Sequence, residues 1–263
     1  MLKTTTGVAI NEDFLKVTPD DNGFLPNVSS EAIDPLWEPL VMNLATTCEK
    51  LLDGVFHSIY VRGSIASNRG IPGFSDIDFF VVVTEEPSAD QATFLSQQIQ
   101  ELLNHSTLTS KAEFTFLKLE KALYSVSFRL QIGVYGKFLL GAEDLTHGLS
   151  PLKIGQDAFH HANNISGIAK KAIDHLDSQN YIQWYARQAL RAGMEMVAVS
   201  AGYTTRDLYG CFLALKEFSP IPEGDLKTLL FVCIDTDENW QRIDVAFVKR
   251  MTEYLVALNE QAK

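Results

Sequence analysis

The apolar runs in the first half of the chain predict two adjacent β-strands joined by a polar loop. Residues 58–61 form the first run and lead into a Gly63-Ser64 turn, and residues 79–83 form the second. Asp76 and Asp78 stand at the start of the second strand. Side chains at positions i and i+2 of a strand project from the same face, about 6.5–7 Å apart. We therefore expect the two carboxylates to converge on one face.

A third strand is predicted over residues 111–119, where Glu113 is a lone acid with Phe114 and Phe116 on the opposite face. An acid at the start of an apolar strand is costly unless a partner compensates its charge. From Lys121 onward the pattern favours a helix that ends near residue 145. No strand is expected after residue 119.

Helices are predicted around and after this sheet. Capping residues and periodicity predict a first helix from Ser29 or Ser30 to Gly54, and the pair Ser88 and Gln91 forms a capping box for a second. That second helix is expected to reach about residue 105. A change of composition at residues 147–151 predicts a domain boundary. Beyond it the pattern is helical throughout, with segments at about 156–178, 180–201, 205–218, 223–233 and 239–262.

The predicted fold class is therefore α/β (α+β). A mixed sheet with helices is expected over residues 1–148. An all-α helical bundle is expected over residues 149–263.

Composition and charge narrow the function classes. The 263 residues are 46% hydrophobic and 21% charged, which is ordinary for a globular protein. A formal net charge of −11 argues against general nucleic-acid binding, and no apolar run approaches the roughly 18 residues that span a bilayer. Cys48, Cys211 and Cys233 are odd in number and far apart, and no secretory signal is visible. We expect a cytoplasmic protein with reduced thiols and no membrane association.

The candidate chemistry depends on Asp76, Asp78 and Glu113. Carboxylate oxygens held on rigid strands suit Mg²⁺, and the backbone N–H groups of a Gly-Ser turn can receive a phosphate. Metal-assisted displacement at a phosphate needs a set of acidic ligands. Glu113 is the expected third acid, either as a metal ligand or as a general base. The competing acids fall at element ends, where solvated acids are common: Glu120, Glu143 and Asp144.

These residues match a known signature. Gly63-Ser64, followed after eleven residues by Asp76-Ile77-Asp78-Phe79, resembles the motif of the DNA-polymerase-β-like nucleotidyltransferases. Residues 112–117 resemble the third-carboxylate strand of the two-domain aminoglycoside adenylyltransferases that act on streptomycin and spectinomycin. The resemblance implies ATP as co-substrate, two Mg²⁺ ions held by the three acids, and transfer of AMP to a hydroxyl of a small acceptor.

The resemblance also implies that basic side chains of the helical half contact the triphosphate. Arg191 and Arg206 best match that role, with Arg187 and Lys170 as alternatives. Gly63 and Ser64 are then expected to contact the β- and γ-phosphates.

Two other functions stay open at this point. One is a protein-adenylylating, antitoxin-like nucleotidyltransferase, although such chains are typically shorter and lack a helical appendage. The other is a non-catalytic nucleotide-binding module. In the helical half, the adjacent His160 and His161 point about 100° apart on a helix, and we expect them at the surface rather than on a metal.

Overall fold

The chain folds into two compact units. The computed structural model describes residues 14–29, 31–234 and 239–262. Pro26–Leu152 form the sheet unit, whereas Met1–Leu25 together with Lys153–Lys263 form the helical unit. The helical unit therefore includes a segment from the start of the chain that the sequence-based boundaries place in the first domain. Two β-bridges join that segment to it, between Val17 and Thr204 and between Phe24 and Lys153.

A mixed sheet organises the sheet unit. Its strands lie in the order β3-β2-β1-β4, with β1 antiparallel to both β2 and β4, and β2 parallel to β3. The strands of the described chain are β1 (Phe56–Arg62), β2 (Ile77–Val83), β3 (Ala112–Lys118) and β4 (Lys137–Gly141).

The expected helix over residues 121–145 is wrong. The chain instead forms short helical turns, a π-helical turn at Arg129–Val134 and then β4. β4 pairs with the free edge of β1, so the backbone polar groups along that edge find partners. Such a pairing depends on a strand nearly eighty residues away, which local periodicity does not report.

Helices pack on the sheet and make up the helical unit. In the sheet unit they are α1 (Glu38–Leu51), α2 (Gly63–Ala66), α3 (Ala89–Asn104), α4 (Leu119–Ala122) and α5 (Val126–Phe128). In the helical unit they are α6 (Ile165–Ile173), α7 (Gln179–Ala201), α8 (Leu208–Phe218), α9 (Glu223–Ile234) and α10 (Val245–Gln261). Single 3-10 turns occur at Leu145–Gly148, Gln156–Ala158, Ala162–Asn164 and Asn239–Arg242. None of the described helices is long and apolar enough to cross a bilayer.

The helix caps test the local sequence signals. The Ser88–Gln91 capping box is confirmed, with both reciprocal hydrogen bonds present at the start of α3. The cap predicted at Ser29 or Ser30 is wrong, because α1 begins only at Glu38; Ser30 lies outside the described residues. The helix begins later than predicted because Asp34 forms a separate turn before it. The Asp34 carboxylate accepts a hydrogen bond from the Leu36 N–H at 2.9 Å, and its carbonyl oxygen accepts one from the Glu38 N–H at 3.0 Å.

Both faces of the sheet are buried. One face, which includes Ile77 and Phe79 of β2, packs on α1 and α3. The other face, which includes Tyr60 and Phe80, packs on Phe128 and its neighbours. Polar side chains on this second face, at the end where β1 stops and β2 starts, therefore stand out from apolar surroundings.

Candidate active site

Three charged residues lie side by side across the sheet. Arg62 ends β1 and pairs with Asp78 of β2, and Asp78 pairs in turn with Glu113 of β3. All three follow the alternation that places Tyr60 and Phe80 on the second face. The Nη2 atom of Arg62 lies 3.6 Å from Asp78 Oδ1 and 3.6 Å from Glu113 Oε1. One guanidinium thus bridges two of the three predicted carboxylates.

A buried polar relay holds Arg62 from its other side. Its Nη1 donates a short hydrogen bond to Gln131 Oε1, and Gln131 Nε2 donates to Ser127 Oγ at 2.8 Å. The guanidinium also lies over the Phe80 ring, 5.4 Å from its centroid. Gln131 is buried and belongs to the π-helical turn, a feature that often marks functional sites. Neither Arg62 nor Gln131 was identified from the sequence.

The Gly63-Ser64 turn follows Arg62 directly. Gly63 has φ +76°, a conformation that favours glycine, and it begins α2. A Cβ atom at this position would lie 3.1 Å from Asp78 Oδ2. Ser64 is half-buried in the same turn. The backbone of the predicted phosphate turn therefore lies directly beside a predicted metal ligand.

Asp76 is exposed and lies one residue before β2, while Asp78 is half-buried within it. Ile77 and Phe79 enter the core as predicted. The Glu113 side chain is 66% exposed, which leaves its carboxylate accessible to a substrate.

The carboxylates suit a divalent cation by their chemistry. Asp78 and Glu113 are cross-strand neighbours that already share a cationic partner, and oxygen donors of this kind are the ones that Mg²⁺ prefers. Over residues 14–29, 31–234 and 239–262, no three His, Cys, Asp or Glu side chains are grouped as a metal site. A metal held by Asp76, Asp78 and Glu113 would therefore require these side chains to turn toward one another.

Arg191 and Arg206 lie in the helical unit, on α7 and just before α8. Both stand near the histidine pair: burial, followed by the positive charges of Arg206 and Arg191, lowers the pKa of His161 to about 2. The structure therefore brings the two predicted arginines into one neighbourhood of the helical unit, and it brings Gly63, Ser64, Asp78 and Glu113 together in the sheet unit.

The expectation that His161 lies at the surface is wrong. His161 is 6% exposed, and its Nδ1 is hydrogen-bonded to Glu195 Oε1 at 2.6 Å. Glu195 Oε2 also accepts the backbone N–H groups of His161 and Ala162, at 2.8 and 2.9 Å. Burial raises the pKa of Glu195 to about 7. The available signal was an acid inside an apolar helical run, which needs a buried partner.

Comparisons with known proteins bear on the domain type and the fold. The family model described as "Nucleotidyltransferase domain" matches residues 41–132, which include Gly63, Ser64 and the three acids. The solved structure of spectinomycin adenyltransferase AAD(9) from Enterococcus faecialis, with ATP and spectinomycin, is similar in fold. Its TM-score is 0.58 at 16% identity, over 83% of this chain and 98% of that chain. No curated protein matches in sequence.

The predicted resemblance to the aminoglycoside adenylyltransferase-like nucleotidyltransferases is confirmed by the domain match and the fold match. The chain carries a nucleotidyltransferase domain, and it is an enzyme of the nucleotidyl-transferring class. The predicted fold class, a mixed sheet with helices followed by a helical part, is confirmed as well.

Proposed function

For a chain that carries a nucleotidyltransferase domain on the fold of an ATP-binding adenyltransferase, we propose Mg²⁺-dependent transfer of AMP from ATP to a hydroxyl group of a small acceptor. The observation that carries the proposal is the row formed by Asp78 and Glu113 next to the Gly63 turn. Acids on rigid neighbouring strands beside a phosphate-binding turn are the parts that such a transfer requires.

Each residue has a proposed task. Asp76 and Asp78 would hold Mg²⁺, which when bound neutralises charge on the phosphates and polarises the α-phosphate. The N–H groups at Gly63 and Ser64 orient the β- and γ-phosphates. Arg191 and Arg206 pair with the negative charge of the leaving pyrophosphate.

Glu113 is proposed as the general base, because its side chain is 66% exposed and can reach an incoming acceptor. The acceptor hydroxyl gives its proton to the Glu113 carboxylate while its oxygen forms a bond to the α-phosphorus. The bond from that phosphorus to the bridging oxygen breaks, and pyrophosphate leaves with the bonding electrons.

The proposed acceptor is a hydroxylated, cationic small molecule of the aminoglycoside class, and the proposed location of the enzyme is the cytoplasm. Two observations support it. The net charge of −11 favours a cationic ligand over an anionic one, and AAD(9), which has this fold, was solved with spectinomycin.

The test is incubation of the full chain with Mg²⁺, ATP labelled at the α-phosphate and a panel of aminoglycosides. We expect label on a small molecule and release of pyrophosphate, and we expect Asp78→Asn to abolish both. Asp53→Asn, an exposed acid in the turn after α1, is the matched control and should behave as wild type.

Other outcomes would replace the proposal. Label on protein would indicate a protein-adenylylating enzyme. ATP binding without pyrophosphate release would indicate a nucleotide-binding module. Equal activity of wild type and Asp78→Asn would show that the site is misassigned.

A further inference from the structure

Arg62 is a charged residue in an unusual place. It ends a strand whose preceding residues, Tyr60 and Val61, are fully buried, and its own side chain is only 14% exposed. Burying a guanidinium is costly unless anions and hydrogen bonds compensate its charge. Asp78 and Glu113 supply the anions, each with an oxygen 3.6 Å from Nη2.

Two further contacts fix the position of the Arg62 guanidinium. Arg62 is fixed by Gln131 on one side and by the Phe80 ring below. Gln131 is itself buried and tied to Ser127, so it cannot turn to water without breaking its bonds. The guanidinium is therefore a fixed positive charge between two acids rather than a side chain that swings freely in solvent.

A fixed cation at this point has a consequence for metal binding. The row Arg62–Asp78–Glu113 carries two negative charges and one positive charge. A divalent cation that approaches the same oxygens meets the repulsion of the guanidinium, whose Nη2 atom lies 3.6 Å from an oxygen of each carboxylate. A neutral side chain in place of Arg62 would remove that positive charge and make both carboxylates more attractive to the cation.

We propose that Arg62 is a positioning residue that holds Asp78 and Glu113 in place as their built-in counterion and thereby lowers the affinity of the nucleotide-free protein for divalent cations. The inference rests on the proposed function, in which Asp78 holds Mg²⁺ and Glu113 lies beside it as the general base, and deepens it by naming a residue that regulates metal binding. Arg62 acts through the carboxylates and not on the substrate.

The experiment measures Mn²⁺ binding to the nucleotide-free full chain, by the electron paramagnetic resonance signal of free Mn²⁺. Arg62→Gln removes the charge, and we expect about tenfold tighter binding, equivalent to about 1.4 kcal/mol. Arg62→Lys keeps the charge and should stay near the wild-type affinity. A role in folding alone would not tighten metal binding.

Arg129→Gln is the matched control. Arg129 lies in the same unit and loses the same charge, but it donates to the carbonyl oxygens of Ser150 and Pro151 rather than to carboxylates. We expect wild-type Mn²⁺ affinity. If Arg62→Gln binds Mn²⁺ no more tightly than Arg129→Gln does, the inference is overturned.

A second variant covers the case in which Arg62→Gln does not fold. Gln131→Glu preserves shape and places a competing carboxylate against Arg62 Nη1, so the guanidinium is drawn from Asp78 and Glu113. We expect Mn²⁺ binding to tighten several-fold, and an unchanged affinity would contradict the inference.

Asp78→Asn separates this inference from the proposed function. If Asp78→Asn lowers Mn²⁺ affinity while Arg62→Gln matches Arg129→Gln, only the role of Arg62 fails. If Asp78→Asn has no effect on Mn²⁺ binding, the metal site of the proposed function fails, and the inference fails with it.

Discussion

Replacing Gly63 by alanine should have two effects: backbone strain in the turn and a close contact between the new Cβ atom and Asp78. Gly63 has φ +76°, and alanine in this left-handed region costs about 1–2 kcal/mol. The new Cβ would also lie 3.1 Å from Asp78 Oδ2, so the carboxylate must shift by a few tenths of an ångström. Misplacement by about 1 Å can cost 10²-fold in rate, and we therefore expect roughly a tenfold loss of kcat/KM.

Gly54→Ala supplies the control for the backbone term. Gly54 lies in the same unit with φ +85°, but a Cβ there meets no atom within 4 Å. Urea unfolding should show a similar loss of stability for both variants, about 1–2 kcal/mol. Adenylyl transfer, measured by pyrophosphate release, should fall only in Gly63→Ala.

Two results would refute this reasoning. A wild-type kcat/KM for Gly63→Ala would mean that the approach of Gly63 to Asp78 has no role in the reaction. An equal fall of kcat/KM in Gly54→Ala would mean that lost stability, rather than geometry at the site, explains the effect.

Three further predictions concern stability and are each checked by urea unfolding. Glu195→Ala leaves the buried donors of His161 and Ala162 without an acceptor and should lower the free energy of unfolding by about 3–5 kcal/mol. Asp225→Ala breaks a more exposed ion pair with Arg250 and should lower it by less than about 1 kcal/mol. Equal losses for the two variants would contradict the importance of burial. Burial raises the pKa of Glu195 from 4.5 to about 7. Between these two pH values, Glu195 is therefore protonated in the folded state and ionised in the unfolded state. The stability of wild type relative to Glu195→Gln should therefore be greatest below about pH 4.5, fall by up to about 1.4 kcal/mol per pH unit toward pH 7 and then stay constant; a difference that does not change with pH would refute the assignment. Ser88→Ala removes one half of the capping box and should cost about 1 kcal/mol, with Ser106→Ala, whose hydroxyl accepts only the Leu108 N–H in a loop, as a milder comparison.

Features that depend on near neighbours along the chain could be predicted without the structure. The alternation around Ile77 and Phe79 directs Asp78 to the opposite face because the period of a strand is two. Ser88 and Gln91 predict the start of α3. Gly202, with φ +73°, ends α7 because glycine adopts that conformation at low cost. The sequence also singles out Glu113 as a lone acid among apolar residues, although the structure leaves its side chain 66% exposed rather than buried.

Partners that are far apart along the chain depend on the three-dimensional packing and not on local sequence. The bridge from Arg62 to Asp78 and Glu113 depends on cross-strand register, and its link to Gln131 joins residues 69 positions apart. The pairing of β4 with β1 and of His161 with Glu195 is likewise long-range. Periodicity reports the face on which a side chain lies, whereas compensation of a buried charge depends on what packs against that face. The acids could therefore be read from the sequence, but the guanidinium that holds two of them could not.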